Sequence, residues 1–298
     1  MSEPQRFGLS AALVSPFDER GRPDLERLVG HARAVLAEGC DSITLFGTTG
    51  EGFSIPARER GAMLGAVAGA GIPLADKVYA GVSATTVAEA AEQAELALSA
   101  GVRGLLVAPP FYLKGIDDEG LYGWFHDFLA RLGSEARGVI LYHIPGQTAV
   151  PLSSSLVRRL RDAFGGVIAG IKDSSGDWAT TERFLADHGD IAVLVGDERL
   201  LARAVRHGAE GSICGLANIA PALLRPLVHE GRDDRRVNAL VEAIVSLPVL
   251  PAVKALVAHR RGDKGYLRVR PPLVPLSTAG REQLLAAFEA ITGEPAGA

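Results

Sequence analysis

Lys172 stands in the stretch Val167-Ile168-Ala169-Gly170-Ile171-Lys172-Asp173-Ser174-Ser175-Gly176. An apolar run that ends in one amine and passes at once into turn residues reads as a buried strand delivering a lysine to its C-terminal edge. An apolar surround disfavours an ammonium ion, so an amine held there becomes available as a nucleophile. A neutral amine adds to a ketone to give a Schiff base, which then serves as an electron sink. The plain alternative is a lysine that snorkels to solvent or pairs with Asp173. Two other stretches bear on the choice. Gly47-Thr48-Thr49-Gly50-Glu51-Gly52 combines two hydroxyls with flexible backbone N–H groups, a nest suited to a carboxylate. It lacks the lysine and the spacing of a nucleotide P-loop, and a bare strand–helix turn would need only one of its glycines. In Tyr142-His143-Ile144-Pro145, the Tyr142 phenol can shuttle protons beside an amine, or simply pack with its hydroxyl satisfied. His143, one residue on, projects to the other side of the strand and is read as structural.

Apolar runs rich in β-formers alternate with segments of helical period along the first two thirds of the chain. The expected strands are Gly8–Val14, Ser42–Phe46, Val78–Val82, Gly104–Ala108, Val139–His143, Val167–Lys172, Ala192–Gly196 and Gly211–Cys214. Between them the pattern predicts helices over Asp24–Ala37, Ala57–Ala70, Thr85–Ser99, Glu119–Arg131, Ser153–Phe164 and Glu198–His207, with Asp24 and Ser153 as capping residues. Eight strands in this rhythm give a (β/α)₈ barrel, with residues 1–219 as the catalytic unit. A doubly wound sheet usually has fewer strands and often a Gly-rich dinucleotide fingerprint, which this chain lacks. Further helices at Pro221–Glu230, Val237–Leu247, Pro251–Arg260 and Arg281–Ile291 form a C-terminal helical extension over 220–298, ending in a tail expected to fray.

The residues just past each strand are the second clue. Strand two leads into Gly47–Gly52, strand four into Pro109-Pro110-Phe111-Tyr112, and strand seven into Gly196-Asp197-Glu198. Strand eight leads into Cys214-Gly215-Leu216-Ala217-Asn218. A barrel gathers all these ends on one rim, where sites of this fold are built. The opposite rim receives generic turns such as Gly71-Ile72-Pro73.

Bulk properties exclude several classes. A net charge of −4 carries no footprint for nucleic acid or a membrane surface. Two cysteines, Cys40 and Cys214, imply neither a disulfide framework nor a zinc cluster, and the seven histidines form no close metal-ligand pair. A polar N-terminus without a long apolar run makes the cytoplasm the expected compartment. Trp124, Phe125 and Phe128 at helical spacing are expected in a core or interface. The run Arg232–Arg236 is expected to be a solvated helix start.

Gly47-Thr48-Thr49-Gly50-Glu51, Tyr142-His143-Ile144-Pro145 and Gly170-Ile171-Lys172-Asp173, in this order, resemble the dihydrodipicolinate synthase / N-acetylneuraminate lyase family from about Phe7 to Pro275. The resemblance implies a barrel with a C-terminal helical domain, assembled as a homotetramer or homodimer. It implies a Schiff base between lysine and pyruvate, or a 2-keto acid that yields pyruvate, with no cofactor or metal. Residue by residue, Lys172 matches the Schiff-base lysine and Tyr142 the proton-relaying tyrosine. Thr48 matches the relay threonine, and Gly47 and Thr49 belong to the carboxylate site. Tyr112 is similar to the tyrosine that a neighbouring subunit adds to the relay, although Phe111 replaces a frequent tyrosine. One departure concerns specificity: where synthases carry an arginine for the carboxylate of aspartate semialdehyde, this chain has Gln147. The nearby loops offer no obvious substitute cation, though Lys114 could reach in. Asp197, Glu198 and Ser212, with Cys214 nearby, look like hydroxyl-binding groups of sugar-acid lyases. The expected reaction is therefore cleavage or formation of a 2-keto-3-deoxy sugar acid or similar aldol. Open alternatives are the synthase reaction, a Schiff-base dehydratase, a metal-dependent aldolase, and a keto-acid binder without catalysis.

Overall fold

A computed structural model describes residues 6–293. The tail expected to fray falls, apart from Gly293, outside them. Eight strands, β1 Gly8–Ala12, β2 Ser42–Leu45, β3 Val78–Val82, β4 Gly104–Val107, β5 Val139–His143, β6 Ile168–Asp173, β7 Ala192–Val195 and β8 Gly211–Cys214, run parallel in chain order. β8 pairs with β1, and the sheet closes into a (β/α)₈ barrel. The strands match their expected positions within two residues at either end. They read as near-continuous apolar runs because parallel strands in a barrel are buried on both faces.

Alternation along each strand divides the core in two. Phe7, Tyr79, Leu106, Ile140, Tyr142, Leu194 and Ile213 pack inside the barrel. Leu105, Val107, Leu141, Ile171, Val193 and Val195 face the helices. Register then decides what meets on each face: Tyr142 lies directly opposite Lys172 on the inner side, and His143 opposite Asp173 on the side of the helices.

Helices Leu25–Ala37, Ala57–Gly69, Val87–Ser99, Asp118–Leu132, Ser154–Phe164, Trp178–His188 and Glu198–Arg206 fill the crossovers. Asp24 accepts from Arg27 N and Ser153 from Leu156 N, as their residue types require at an N-cap. The helix over Trp178–His188 is absent from the sequence expectations. Its signals are Asp177, which caps it through Thr180 N, and the buried positions Thr181, Phe184 and His188. Phe125 and Phe128 are fully buried, and Trp124 donates its indole N–H to Thr85 O at 3.1 Å. Asp234 caps the helix that starts at Arg235, so the charge run is a helix start.

Pro221–Glu230 packs on β1, β8 and the preceding helix, in the place of the eighth barrel helix. The expected junction at 219/220 thus precedes a helix that belongs to the barrel by packing, and we place it after Glu230. Helices Arg235–Val245, Val249–Arg260 and Thr278–Thr292 make the extension. Among the described residues, no single helix is long and apolar enough to cross a membrane.

Candidate active site

Lys172 is buried, 4% exposed, near the C-terminal end of β6. Its Nζ donates to Tyr142 Oη at 3.2 Å and lies 4.3 Å from the centroid of the same ring. Tyr142 Oη is 3.3 Å from Thr48 Oγ1, so amine, phenol and hydroxyl form one chain. With its oxygen accepting from Lys172, the phenol can donate onward to Thr48. These bonds are long, as proton-transfer contacts often are before substrate tightens them. Gly196, after β7, makes room for the amine. A Cβ there would stand 3.1 Å from Lys172 Cε and 2.0 Å from Ser174 Oγ. His143 is structural: its Nδ1 accepts from Leu152 N at 3.0 Å, and burial holds its pKa down.

The loop after β2 reaches Thr48 and Thr49 through a sharp left-handed turn at Phe46, φ 60°. Left-handed backbone at a bulky residue is strained, and such strain persists where the surroundings over-determine it. Here Arg60 does so. Its buried guanidinium donates to Gly52 O and Gly81 O at 2.7 Å and to Ile55 O at 2.9 Å, and sits 4.8 Å from the Phe46 ring centroid. Burial pulls the Arg60 pKa down to about 10. Gly52 is obligatory, because a Cβ there would lie 1.8 Å from Phe46 O.

Lys172, Tyr142, Thr48, Thr49, Ser174, Glu198 and Cys214 line one cavity of about 200 Å³. Val241, Ile244, Val249, Leu250 and Val253 of the extension form its wall. Through Thr48, Tyr142, Ile144, Gln147 and Leu250 it adjoins an outer cavity of about 390 Å³ lined by Gly47, Phe53, Leu106, Phe111 and Leu273. Gln147 is carried at the junction by the short helix Pro145–Thr148. Among the described residues lining either cavity, Lys172 is the sole basic side chain.

Not every expected residue points inward. Glu198 does: it is buried, accepts from Leu216 N at 2.9 Å, and desolvation raises its pKa. Cys214 is buried beside it, its thiol pKa raised for the same reason. Asp197 instead caps Glu198–Arg206 and pairs with Arg199 at 2.7 Å, leaving it no part in the cavity lining. Ser212 donates to Val195 O at 2.6 Å, which commits its hydroxyl to the barrel wall. Lys114 is tied to the carbonyls of Phe111 and Thr148. Tyr112 is 80% exposed and does not touch Lys172, Tyr142 or Thr48 within its own chain.

The model of the dihydrodipicolinate synthetase family matches residues 5–291. The chain belongs to that family. A dihydrodipicolinate synthase of Agrobacterium tumefaciens has a solved structure that superposes with a TM-score of 0.94 at 47% identity, covering 96% of this chain and 100% of that one. An uncharacterized DapA-like lyase of Chloroflexus aurantiacus is 33% identical over 98% of both chains. A 4-hydroxy-tetrahydrodipicolinate synthase of Porphyromonas gingivalis is 30% identical, over 93% of this chain and 94% of its own. This member of the family is a lyase in a (β/α)₈ barrel with C-terminal helices.

Several residues of the site escaped sequence reasoning. Ser174 had a signal, since it comes directly after the Lys172-Asp173 edge. Leu250 and Val253 had none: they are apolar positions on a helix that is apolar nearly all round and buried over Pro251–Ala258.

Proposed function

We propose that the protein is a pyruvate-dependent class I lyase that reversibly cleaves a 2-keto-3-deoxy sugar acid or similar 4-hydroxy-2-keto acid. The observation that carries this is the chain from buried Lys172 through buried Tyr142 to partly buried Thr48, with steps of 3.2 and 3.3 Å. The substrate carboxylate sits on the amides and hydroxyls of Thr48 and Thr49. Lys172 attacks C2, and Tyr142 with Thr48 moves the protons as the carbinolamine loses water. Tyr142 then takes the proton of the C4 hydroxyl. The C3–C4 bond breaks, its electrons pass to the iminium nitrogen, and an aldehyde leaves. Protonation of the enamine at C3 and hydrolysis release pyruvate and the free lysine. No cofactor enters this scheme.

The test is intact-mass and peptide analysis after incubation with pyruvate and then borohydride. One reduced adduct on Lys172 is the expected result. Wild-type protein that turns over substrate without being trapped, and loses activity with a chelator, would replace the Schiff base by a metal-dependent mechanism.

Gln147 favours an aldol without a second carboxylate over the synthase reaction. A neutral amide cannot form the charged bidentate pair that an arginine makes, and hydrogen bonds to charged groups contribute about 1.5–3 kcal/mol. Gln147→Arg is expected to shift the ratio of kcat/KM, carboxylated aldehyde over polyol aldehyde, by roughly tenfold or more toward the former. An unchanged ratio would remove Gln147 from specificity.

Tyr112 and Leu113, 66% exposed, follow Phe111 of the outer cavity lining, and Phe53 of the same lining is 45% exposed, so exposed apolar side chains flank this rim. A second copy docks on this rim and brings its own Tyr112 toward the relay, in a homodimer or homotetramer. A monomer in sedimentation velocity at assay concentration would refute this assembly. The free buried thiols of Cys40 and Cys214 fit a reducing compartment, the cytoplasm.

A further inference from the structure

The loop carrying Thr48 and Thr49 is held from two sides, and only one of them is the barrel. Arg60 grips it from the barrel. From the extension, Lys254 in Val249–Arg260 meets Glu51 Oε1, both side chains 0% exposed. Arg270 N donates to the other carboxylate oxygen, Glu51 Oε2, at 2.9 Å. Lys254 Nζ and the Arg270 guanidinium lie 4.5 and 4.4 Å from the centroid of Phe17, so the carboxylate sits in a closed, partly aromatic chamber.

Glu51 is well placed to transmit that grip. It is left-handed, φ 54°, and its N–H donates to Thr48 O at 3.0 Å, while Gly52 N donates to Gly47 O at 3.1 Å. An anchor at position 51 therefore orients the peptide units of 47 and 48, and with them the N–H groups and hydroxyls that face the cavity. The helix that supplies Lys254 also supplies Leu250 and Val253 to the cavity wall, so one rigid element carries both wall and anchor. Stability alone is a poor account of such a pair. Desolvating two charges cancels most of their attraction, and apolar residues of equal volume often pack as well or better. What an ion pair adds is direction.

We propose that Lys254 and Glu51 are positioning residues through which the C-terminal extension sets the geometry of the keto-acid carboxylate site. This rests on the keto-acid reading of Thr48 and Thr49. Lys254→Met alone strands a buried carboxylate and can fail to fold, so the informative variant combines it with Glu51→Gln. Gln keeps an acceptor for Arg270 N, and Met keeps the aliphatic length. Two readouts are taken on the full chain: amide hydrogen exchange over 47–55 without ligand, and the pyruvate concentration that half-saturates borohydride trapping. In the folded double variant, exchange at 51 and 52 is expected to accelerate at least about tenfold relative to β5 and β6. Half-saturating pyruvate should rise by about tenfold or more, with unchanged adduct at saturation. A folded double variant within about twofold of wild type in both would reduce the pair to packing and overturn the proposal. Faster loop exchange in the variant, with no adduct even in wild type, would count against the Schiff-base chemistry and for the anchoring.

Discussion

Lys172→Ala is expected to lower turnover by on the order of 10⁵-fold or more and to abolish the borohydride adduct, because the covalent route itself is removed. No other amine can take over. Among the described residues lining the two cavities Lys172 is the sole lysine, and Lys254, elsewhere in the extension, is bound to Glu51. The fold should survive, since the truncated side chain leaves behind only the Tyr142 hydroxyl, which still has Thr48 as partner at 3.3 Å. Added small amines should restore part of the rate by forming the imine in solution. Residual activity above about one per cent without added amine would end the Schiff-base mechanism.

Tyr142→Phe is the second large effect. The ring is kept, and with it the packing inside the barrel and the amine 4.3 Å from its centroid. Only the hydroxyl that joins Lys172 to Thr48 is lost. General acid–base catalysis by a positioned side chain contributes about 10²–10⁴-fold, so kcat should fall by that much. Pyruvate affinity should change far less, because the carboxylate rests on the loop after β2. Equal losses in kcat and in pyruvate binding would make Tyr142 a positioning residue only.

The readings that held and those that changed differ in the range of the interactions behind them. The placement of Lys172, Tyr142, Thr48 and Thr49 around one cavity was legible because each lies at the end of an apolar strand or in the loop just after it, and a parallel barrel puts all such ends on one rim. His143 was legible as structural because side chains alternate along a strand. Asp197 and Ser212 were read as cavity groups from their positions after β7 and in β8. Asp197 is taken by its own helix N-terminus and Arg199, and Ser212 by the neighbouring strand's Val195 O. A polar residue at a strand end serves either the ligand or the backbone beside it, and only orientation separates the two.

By itself the sequence determined the barrel, its order of strands and helices, the rim on which chemistry must occur, and the amine, phenol and hydroxyls available there. These come from periodicity and turn chemistry, which act over a few residues. The tertiary structure alone decided that Tyr142 stands opposite Lys172, that Gln147 stands where the inner and outer cavities meet, and that Tyr112 faces away from its own relay. It also decided that Lys254 reaches Glu51 across 203 positions of chain. Register and long-range pairing are set by how whole elements pack, and no local pattern of residue types encodes which distant side chain will arrive to neutralise a buried charge.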